Sequence, residues 1–291
     1  MEKELTLRET QLILARMLND LVSYFEKHNL RYYLVGGTLL GAVRHAGFIP
    51  WDDDIDLGMP RKDYDLFLEL VKREPVSEDY EIRSCEYGNL SIPLTEMLNR
   101  NVRIERASSA YIAEKYRTLN LFVDIIAQDG WPSDEKEARK LIRKMDQLRF
   151  MNQVARSIPY KGSTFLRTLA KIPYAAYVKT LGNDRILRQI DTESRKLDYD
   201  TSAYVGSVCY GIYGMGERCL RKDVLNFEKK TFEQREYNIP GCWEKYLSGI
   251  YGPDWTILPD ADQRRSHKLK AYCDEAYLLR IQTGINSYEK D

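Results

Sequence analysis

The sequence predicts an α/β (α+β) fold in which an α/β half, at about residues 1–130, precedes a helix-rich remainder. Apolar residues recur at helical spacing near the N-terminus, short β-branched segments bounded by glycine or proline follow, and helical patterns occupy 133–157 and 163–197. Charged residues make up 30% and apolar residues 43% of the chain, which indicates a globular protein with a real core. The 44 basic and 44 acidic side chains balance, so we expect no nucleic-acid partner.

The first helix has the clearest start signal. Thr6 and Glu9 form a capping box, and apolar side chains then follow at helical spacing up to about Asn29. A strand at 32–35 ends abruptly at Gly36-Gly37, and a short helix is predicted at 38–45. The other elements predicted in this half are strands at 54–58, 80–87, 94–104 and 121–127, and a helix from Pro60 to about residue 73.

The second half is predicted to be mostly helical at first, with breaks near 159–162 and at Gly182-Asn183. Residues 206–216 are rich in glycine and tyrosine and predict a strand with turns. Residues 231–239 alternate weakly, and Trp243 begins a short helix that ends at Tyr251. The five cysteines are scattered and form no CxxC pair, which predicts reduced, mostly buried thiols.

No segment approaches the roughly 18 apolar residues that a membrane span needs. The first nine residues are charged and lack the apolar stretch of a signal peptide, so we expect a cytoplasmic protein. Residues 163–181 alternate apolar and basic side chains. That pattern is typical of a helix packed on its own domain, and it also fits a peripheral contact at the inner face of the cell membrane.

A cluster of acidic residues is the main chemical feature. Asp52, Asp53, Asp54 and Asp56 repel one another unless something offsets their charge. In a strand Asp54 and Asp56 share one face about 6–7 Å apart, and such carboxylates can share a hard divalent cation. Asp124 is a lone acid in an apolar strand, where burial is costly unless a metal or another partner compensates. The alternative is a solvated acidic turn that binds nothing.

Gly36-Gly37-Thr38 follows a strand and opens a helix. Glycines allow the backbone to approach a phosphate, and a helix N-terminus favours an anion. Such a triplet alone is weak evidence, since turns use these residues constantly. Together with the acidic strand that follows, it predicts a site with a phosphate on the amides and a divalent ion on the phosphate oxygens.

Residues 33–45 (YLVGGTLLGAVRH) and 47–56 (GFIPWDDDID) closely resemble the LicD-type phosphotransferases, a family that includes bacterial cholinephosphotransferases and is related to fukutin-related protein. The resemblance continues more loosely at 122–125 and 129–132, and again between 239 and 267. It implies a nucleotidyltransferase-like core with a mixed sheet at 1–132, a mostly helical second region at 133–223 and a C-terminal region at 224–291 that completes the site.

The resemblance also implies roles for individual residues. Asp54, Asp56 and Asp124 would hold Mg²⁺ or Mn²⁺, and Asp52 would share a metal or act as a base. Substrate-binding residues would be Gly36, Gly37, Thr38, Arg44, His45, Trp51 and His267. For Arg44 we expect a phosphate contact, whereas His45 at a helix end and His267 in a basic run are equally consistent with solvated side chains.

The implied reaction is transfer of phosphocholine from CDP-choline to a cell-surface glycan, a precursor of teichoic acid or lipopolysaccharide and in some cases lipid-linked, with release of CMP. Asp52 and Asp124 are both candidates for the base that accepts the proton of the sugar hydroxyl. Tyr204, Tyr210, Tyr213 and Trp51 are candidates for an aromatic cage around the choline ammonium. The alternatives are another CDP-alcohol as donor, a nucleotide sugar as donor, and a non-catalytic subunit that binds a nucleotide or glycan.

Overall fold

A mixed sheet of nine strands organises the computed structural model, which describes residues 2–106, 111–158, 165–260, 262–264 and 269–288. Within these residues the strands are β1 (Glu2–Glu4), β2 (Tyr33–Leu34), β3 (Asp56–Pro60), β4 (Tyr80–Ser84), β5 (Thr95–Arg106), β6 (Asn120–Trp131), β7 (Tyr204–Gly206), β8 (Cys219–Leu220), β9 (Glu228–Phe232), β10 (Arg235–Ile239) and β11 (Leu269–Asp274). The helices are α1 (Leu7–Lys27), α2 (Gly36–His45), α3 (Arg61–Val71), α4 (Glu135–Arg156), α5 (Phe165–Leu181), α6 (Asn183–Ser194), α7 (Arg221–Val224), α8 (Trp243–Tyr251) and α9 (Glu275–Tyr288).

The sheet runs in the order β1-β11-β5-β6-β3-β2, and β3 and β6 form its parallel pair. Strand β4 pairs with β5, while β7 pairs with β6 and β8, all antiparallel. Strands β9 and β10 form a separate hairpin. The predicted α+β fold is therefore confirmed.

Helix α1 follows its sequence prediction closely. The Thr6 hydroxyl accepts the Glu9 amide, and the Glu9 carboxylate accepts the Thr6 amide, so the capping box is formed. The apolar stripe of α1 is fully buried, and each such side chain contributes roughly 1.5–3 kcal/mol to the free energy of unfolding. The stripe consists of Leu14, Met17, Leu18, Leu21, Val22 and Phe25.

Two boundaries around the acidic cluster differ from their predictions. Helix α2 begins at Gly36 rather than residue 38, because the Leu39 amide donates to the Val35 carbonyl at 3.0 Å and closes the first helical turn. Strand β3 begins at Asp56 rather than residue 54, so Asp54 lies in the preceding loop and the period-two argument does not apply to it. Asp52, Asp53 and Asp54 thus precede the strand, and Asp56 is its first residue.

The C-terminal half contains both confirmations and corrections. Helices α5 and α6 break at Gly182 as predicted, and α8 has the predicted bounds. The strand predicted at 206–216 is wrong: β7 ends at Gly206, and the segment is a loop with a 3₁₀ turn at Gly214–Glu217. The break predicted at 159–162 lies outside the described residues.

The two ends of the chain meet at one edge of the sheet. Strand β1 pairs with β11, which in turn pairs with β5, and none of the sequence patterns predicts β1, β11 or α9. The division at 132 and 223 stays a prediction, although the sheet takes strands from all three parts of the chain.

The cysteines agree with the expectation of reduced thiols. All five are free, three of them are buried and two are half-buried. Among the helices of the described ranges, none is long and apolar enough to cross a membrane.

Candidate active site

Four predicted acids lie together in one cleft of about 660 Å³, lined by Asp52, Asp54, Asp56 and Asp124. Asp56 is the first residue of β3, and Asp124 is its register partner on the parallel strand β6. Asp54 and Asp52 belong to the loop that leads into β3. The parallel pairing of β3 and β6 therefore brings together acids that are 68 residues apart in the sequence.

Asp124 carries an electrostatic cost in this position. Its Oδ1 atom is buried without a hydrogen-bond partner, while the residue as a whole is half-buried and opens into the cleft. Burial raises the pKa of Asp124 well above its usual value, and the negative charges of Glu96 and Asp56 raise it further. A cation in the cleft would remove this cost, because it favours the charged form of every nearby carboxylate.

Glu96 was missed in the sequence reasoning. It is almost completely buried on β5, where it is the register partner of Asp124. The Thr118 hydroxyl donates to Glu96 Oε2 at 2.9 Å, yet burial still raises the pKa of the Glu96 carboxyl. Asp56, Asp124 and Glu96 thus form a row across β3, β6 and β5. Glu96 is the one acid of the strand predicted at 94–104, but that strand also carries Arg100 and Arg103, so the burial of this acid is not evident from the residue pattern.

The two glycines at the start of α2 make room for the acids. A Cβ atom on Gly36 would lie 2.9 Å from Asp56 Oδ2, and one on Gly37 would lie 2.8 Å from Asp52 Oδ2. The Gly36 amide donates to the Tyr246 hydroxyl at 3.3 Å. Only Gly37 of the pair lines the cleft. The glycines therefore serve the close approach of carboxylates, a role that the sequence reasoning did not assign to them.

Thr38 lies beneath the cleft rather than in its lining. Its side chain is buried, and its hydroxyl accepts the Asp56 amide at 2.9 Å. This bond fixes the point where β3 begins and hence the position of the Asp56 side chain. Thr38 does not line the cleft, so its predicted contact with substrate stays a prediction.

Arg44 and His45 form a pair at the end of α2. Arg44 lines the cleft, its Nη1 donates to the Trp255 carbonyl at 2.8 Å, and its Nε donates to His45 Nε2 at 3.0 Å. Burial, followed by the charge of Arg44, lowers the pKa of His45, so this imidazole is a neutral acceptor. His45 itself is outside the lining and holds Arg44 in place. His267 lies outside the described residues.

Five aromatic side chains also line the cleft and are called the aromatic wall below: Trp51, Tyr210, Tyr213, Tyr251 and Trp255. The rings of Tyr213 and Tyr251 meet edge to face with centroids 5.6 Å apart. The Arg264 guanidinium lies 4.9 Å from the centroid of the Trp51 ring.

Of the tyrosines considered for an aromatic cage, Tyr210 and Tyr213 are therefore in the cleft. Tyr204 is outside it, with the Arg218 guanidinium 3.4 Å from its ring centroid.

The donor atoms of the cleft suit a hard cation, since Mg²⁺ and Mn²⁺ prefer carboxylate oxygens. As the side chains stand, no three His, Cys, Asp or Glu residues converge on a common point in the part of the chain that the structure describes. The buried Oδ1 of Asp124 has no hydrogen-bond partner, and a cation in the cleft would supply one. The residues present therefore fit a divalent ion in their chemistry.

Comparison with known proteins decides the family. Residues 29–91 match the family model described as LicD/FKTN/FKRP, nucleotidyltransferase domain. The lipopolysaccharide cholinephosphotransferase LicD of Haemophilus influenzae is 30% identical over 280 residues, which cover 93% of this chain and 99% of that protein. The chain belongs to the LicD family. It is therefore a phosphotransferase, as the resemblance of residues 33–56 implied.

Two other proteins match over shorter stretches. Human FKRP, a ribitol 5-phosphate transferase, is 52% identical over 42 residues, which cover 14% of this chain and 8% of that protein. A protein of Rickettsia prowazekii is 29% identical over 129 residues, or 42% of this chain and 41% of that protein.

Proposed function

We propose that this enzyme transfers phosphocholine from CDP-choline to a hydroxyl group of a cell-surface glycan, a precursor of lipopolysaccharide or teichoic acid, and releases CMP. The observation that carries the proposal is the cleft itself, in which four carboxylates face an aromatic wall. The relative that spans nearly the whole chain is a cholinephosphotransferase that is named for lipopolysaccharide. The donor, the metal dependence and the acceptor are parts of the proposal.

In this proposal Asp54, Asp56 and Asp124 hold Mg²⁺ or Mn²⁺. When bound, the ion would neutralise charge on the donor diphosphate and on the departing CMP. Arg44 lines the same cleft and would bind a phosphate oxygen, oriented by its hydrogen bond to neutral His45. The enzyme's own residues then position the diphosphate for attack by the sugar hydroxyl in line with the leaving oxygen.

A base must accept the proton of that hydroxyl, and Asp52 is better placed for this than Asp124. Asp124 has one oxygen buried beneath the cleft and is proposed as a metal ligand. Asp52 lies in the lining beside Gly37, where its Oδ2 comes close to the backbone of α2. A carboxylate at the cleft surface can take up a proton and release it to water after each turnover.

The aromatic wall supports choline as the transferred alcohol. A quaternary ammonium group cannot donate hydrogen bonds, so proteins bind it on aromatic faces. Tyr210, Tyr213 and Tyr251 provide such faces next to Asp56 and Asp124. Ribitol phosphate is the second candidate, because the sequence identity to FKRP is high within the short matching segment. Polyols, however, are bound by hydrogen-bonding groups rather than by aromatic rings.

The first experiment is a melting-temperature screen with CDP-choline, CDP-ethanolamine, CDP-ribitol, CTP and UDP-sugars, each with and without Mn²⁺. A ligand at a hundred times its dissociation constant stabilises the fold by about 2.7 kcal/mol. We expect a Mn²⁺-dependent rise with CDP-choline that Asp56→Asn abolishes. A rise with UDP-sugars alone would replace the proposal with glycosyl transfer, and no rise with any nucleotide would favour a non-catalytic subunit.

Aromatic selectivity has its own test. Tyr213→Leu should raise the KM for CDP-choline and leave binding of CDP-ribitol unchanged, whereas Tyr204→Leu, outside the cleft, should change neither. Equal effects of Tyr213→Leu on both donors would contradict recognition of the ammonium by this wall.

We further propose that α5 rests on the inner face of the cell membrane that carries a lipid-linked acceptor. Ile172, Tyr174 and Tyr177 of α5 are exposed, and Phe150 of α4 stacks on Tyr174 with ring centroids 5.9 Å apart. Exposed tyrosines beside apolar residues are typical of interfacial contacts. Co-sedimentation with anionic vesicles should fall when Ile172, Tyr174 and Tyr177 are changed to serine, and an unchanged bound fraction would contradict the contact.

A further inference from the structure

A second cavity of about 440 Å³ adjoins the carboxylate cleft, and Tyr210 and Ile212 line both. We name it the arginine pocket; Arg149, Arg156, Tyr111 and Ile92 are among its other lining residues. Two side chains thus form a common wall between a strongly acidic cleft and a basic pocket.

The two arginines of the pocket have different surroundings. Arg149 is held in place, since its Nη1 donates to the Val208 carbonyl at 3.0 Å and its Nη2 donates to Asp146 at 2.7 Å. Arg156, the last residue of α4, has a buried Nε without a hydrogen-bond partner, and it forms no ion pair within the described part of the chain. Burying an arginine without a partner is costly.

Neighbouring groups act on the Arg156 guanidinium electrostatically, but none of the described residues forms a hydrogen bond or an ion pair with it. Burial lowers the pKa of the guanidinium, and the nearby groups Tyr210 and Glu96 only partly oppose this. Burial raises the pKa of the Tyr210 phenol, Asp124 and Asp56 raise it further, and Arg156 lowers it. Because Tyr210 and Ile212 line both cavities, one bound molecule in the arginine pocket can extend toward the acids.

Group transfer brings a donor and an acceptor together, and two adjoining cavities can hold one each. If the proposed function holds, on which this inference rests, both phosphates of CDP-choline occupy the carboxylate cleft. The rest of that donor is a neutral nucleoside and a cationic choline, and neither carries an anion for Arg156. An anion in the arginine pocket must then belong to the acceptor. We propose that Arg156 binds an anionic substituent, a phosphate or carboxylate, of the acceptor glycan and so directs a neighbouring hydroxyl toward the acids.

The test uses glucose 6-phosphate, glucuronate and glucose as probes of the whole enzyme. Titration calorimetry should detect binding of glucose 6-phosphate or of glucuronate. The anion that binds more tightly shows whether the acceptor is phosphorylated or contains a uronic acid. Uncharged glucose should bind at least about tenfold more weakly. Arg156→Gln should weaken anion binding about tenfold or more, and Arg156→Lys less. Arg139→Gln removes an exposed arginine of the same helix, paired with Glu135, and should have no effect.

The same variant should also be tested for its response to the donor, CDP-choline. Arg156→Gln should leave the Mn²⁺-dependent response to CDP-choline intact, because Arg156 lines the arginine pocket and not the carboxylate cleft. Unchanged anion binding in Arg156→Gln, or no binding of either anion by the unaltered enzyme, would overturn the inference. Loss of the CDP-choline response in this variant alone would assign Arg156 to the donor and overturn it too. Arginine-dependent anion binding without any CDP-choline response would instead refute the proposed function and leave an anion site.

Discussion

Gly36→Ala tests whether the glycine at the start of α2 exists to admit the Asp56 carboxylate. Gly36 has φ +55°, in the left-handed region, and an added Cβ atom would lie 2.9 Å from Asp56 Oδ2 and 3.8 Å from its Cγ. The substitution therefore combines backbone strain with a contact that Asp56 cannot tolerate in its present position.

The two effects have different magnitudes and different consequences. Placing alanine in the left-handed region costs roughly 1–2 kcal/mol of folding free energy. In a chain of this size each kcal/mol lowers the melting temperature by about 2–4 °C. Relief of the contact requires the carboxylate of Asp56 to move by about 0.5 Å to reach ordinary van der Waals distance. Because displacement of a reacting group by about 1 Å costs on the order of a hundredfold in rate, we expect about a tenfold loss of turnover.

Gly88→Ala is the matched control. Gly88 has φ +73°, and nothing lies within 4 Å of the Cβ atom that would be added. Both variants should melt at lower temperature by a similar amount, but only Gly36→Ala should lose CMP release and the Mn²⁺-dependent response to CDP-choline. Equal kcat/KM in the two variants, at equal loss of stability, would refute the assignment of Gly36 to the position of Asp56.

Three further outcomes are expected. Thr38→Val leaves the Asp56 amide without its acceptor and should lower the free energy of unfolding by about 1–3 kcal/mol in denaturant titrations, whereas Thr38→Ser should retain it. Burial raises the pKa of Glu217 to about 7, so the folded state binds this proton more tightly than the unfolded chain; the stability it contributes is full below about pH 4.5 and is lost as the pH rises through 7. Glu217→Gln should therefore flatten the melting temperature over that range. Arg61→Leu leaves Asp129 buried without its two-bond partner and should cost about 3–5 kcal/mol, with a smaller loss when Asp129→Asn is added.

Local signals predicted the helices well, because their causes lie within a few residues. The capping box of Thr6 and Glu9 acts across one turn, and it places the start of α1 correctly. The same holds for the break at Gly182, where φ is +78° and α6 begins one residue later. By contrast, the start of α2 depends on what surrounds Gly36, and the sequence around it cannot reveal that a carboxylate fills the space of its missing Cβ.

Strands that depend on distant partners were missed for a physical reason. Glu2–Glu4 is short and charged, and nothing in it favours a strand until β11 supplies hydrogen bonds from the other end of the chain. The row of acids Asp56, Asp124 and Glu96 was predicted only in part. Asp124 was found from its lone charge in an apolar strand, whereas Glu96 lies in a strand that also carries arginines, and only strand register shows that the two are neighbours.

Buried charges in this chain are satisfied in some places and not in others. Arg61 and Asp129 are both buried and satisfy each other through two hydrogen bonds of 2.7 and 2.8 Å, outside the cleft lining. Asp124 Oδ1 and Arg156 Nε are buried without hydrogen-bond partners, and both side chains line cavities that meet at Tyr210. The same fold can therefore pair a buried acid with a buried base where only stability is at stake. For Asp124 and Arg156, which lie on two sides of Tyr210, we expect the partners to come from outside the chain, as proposed above: a cation for the acid and an anion for the base.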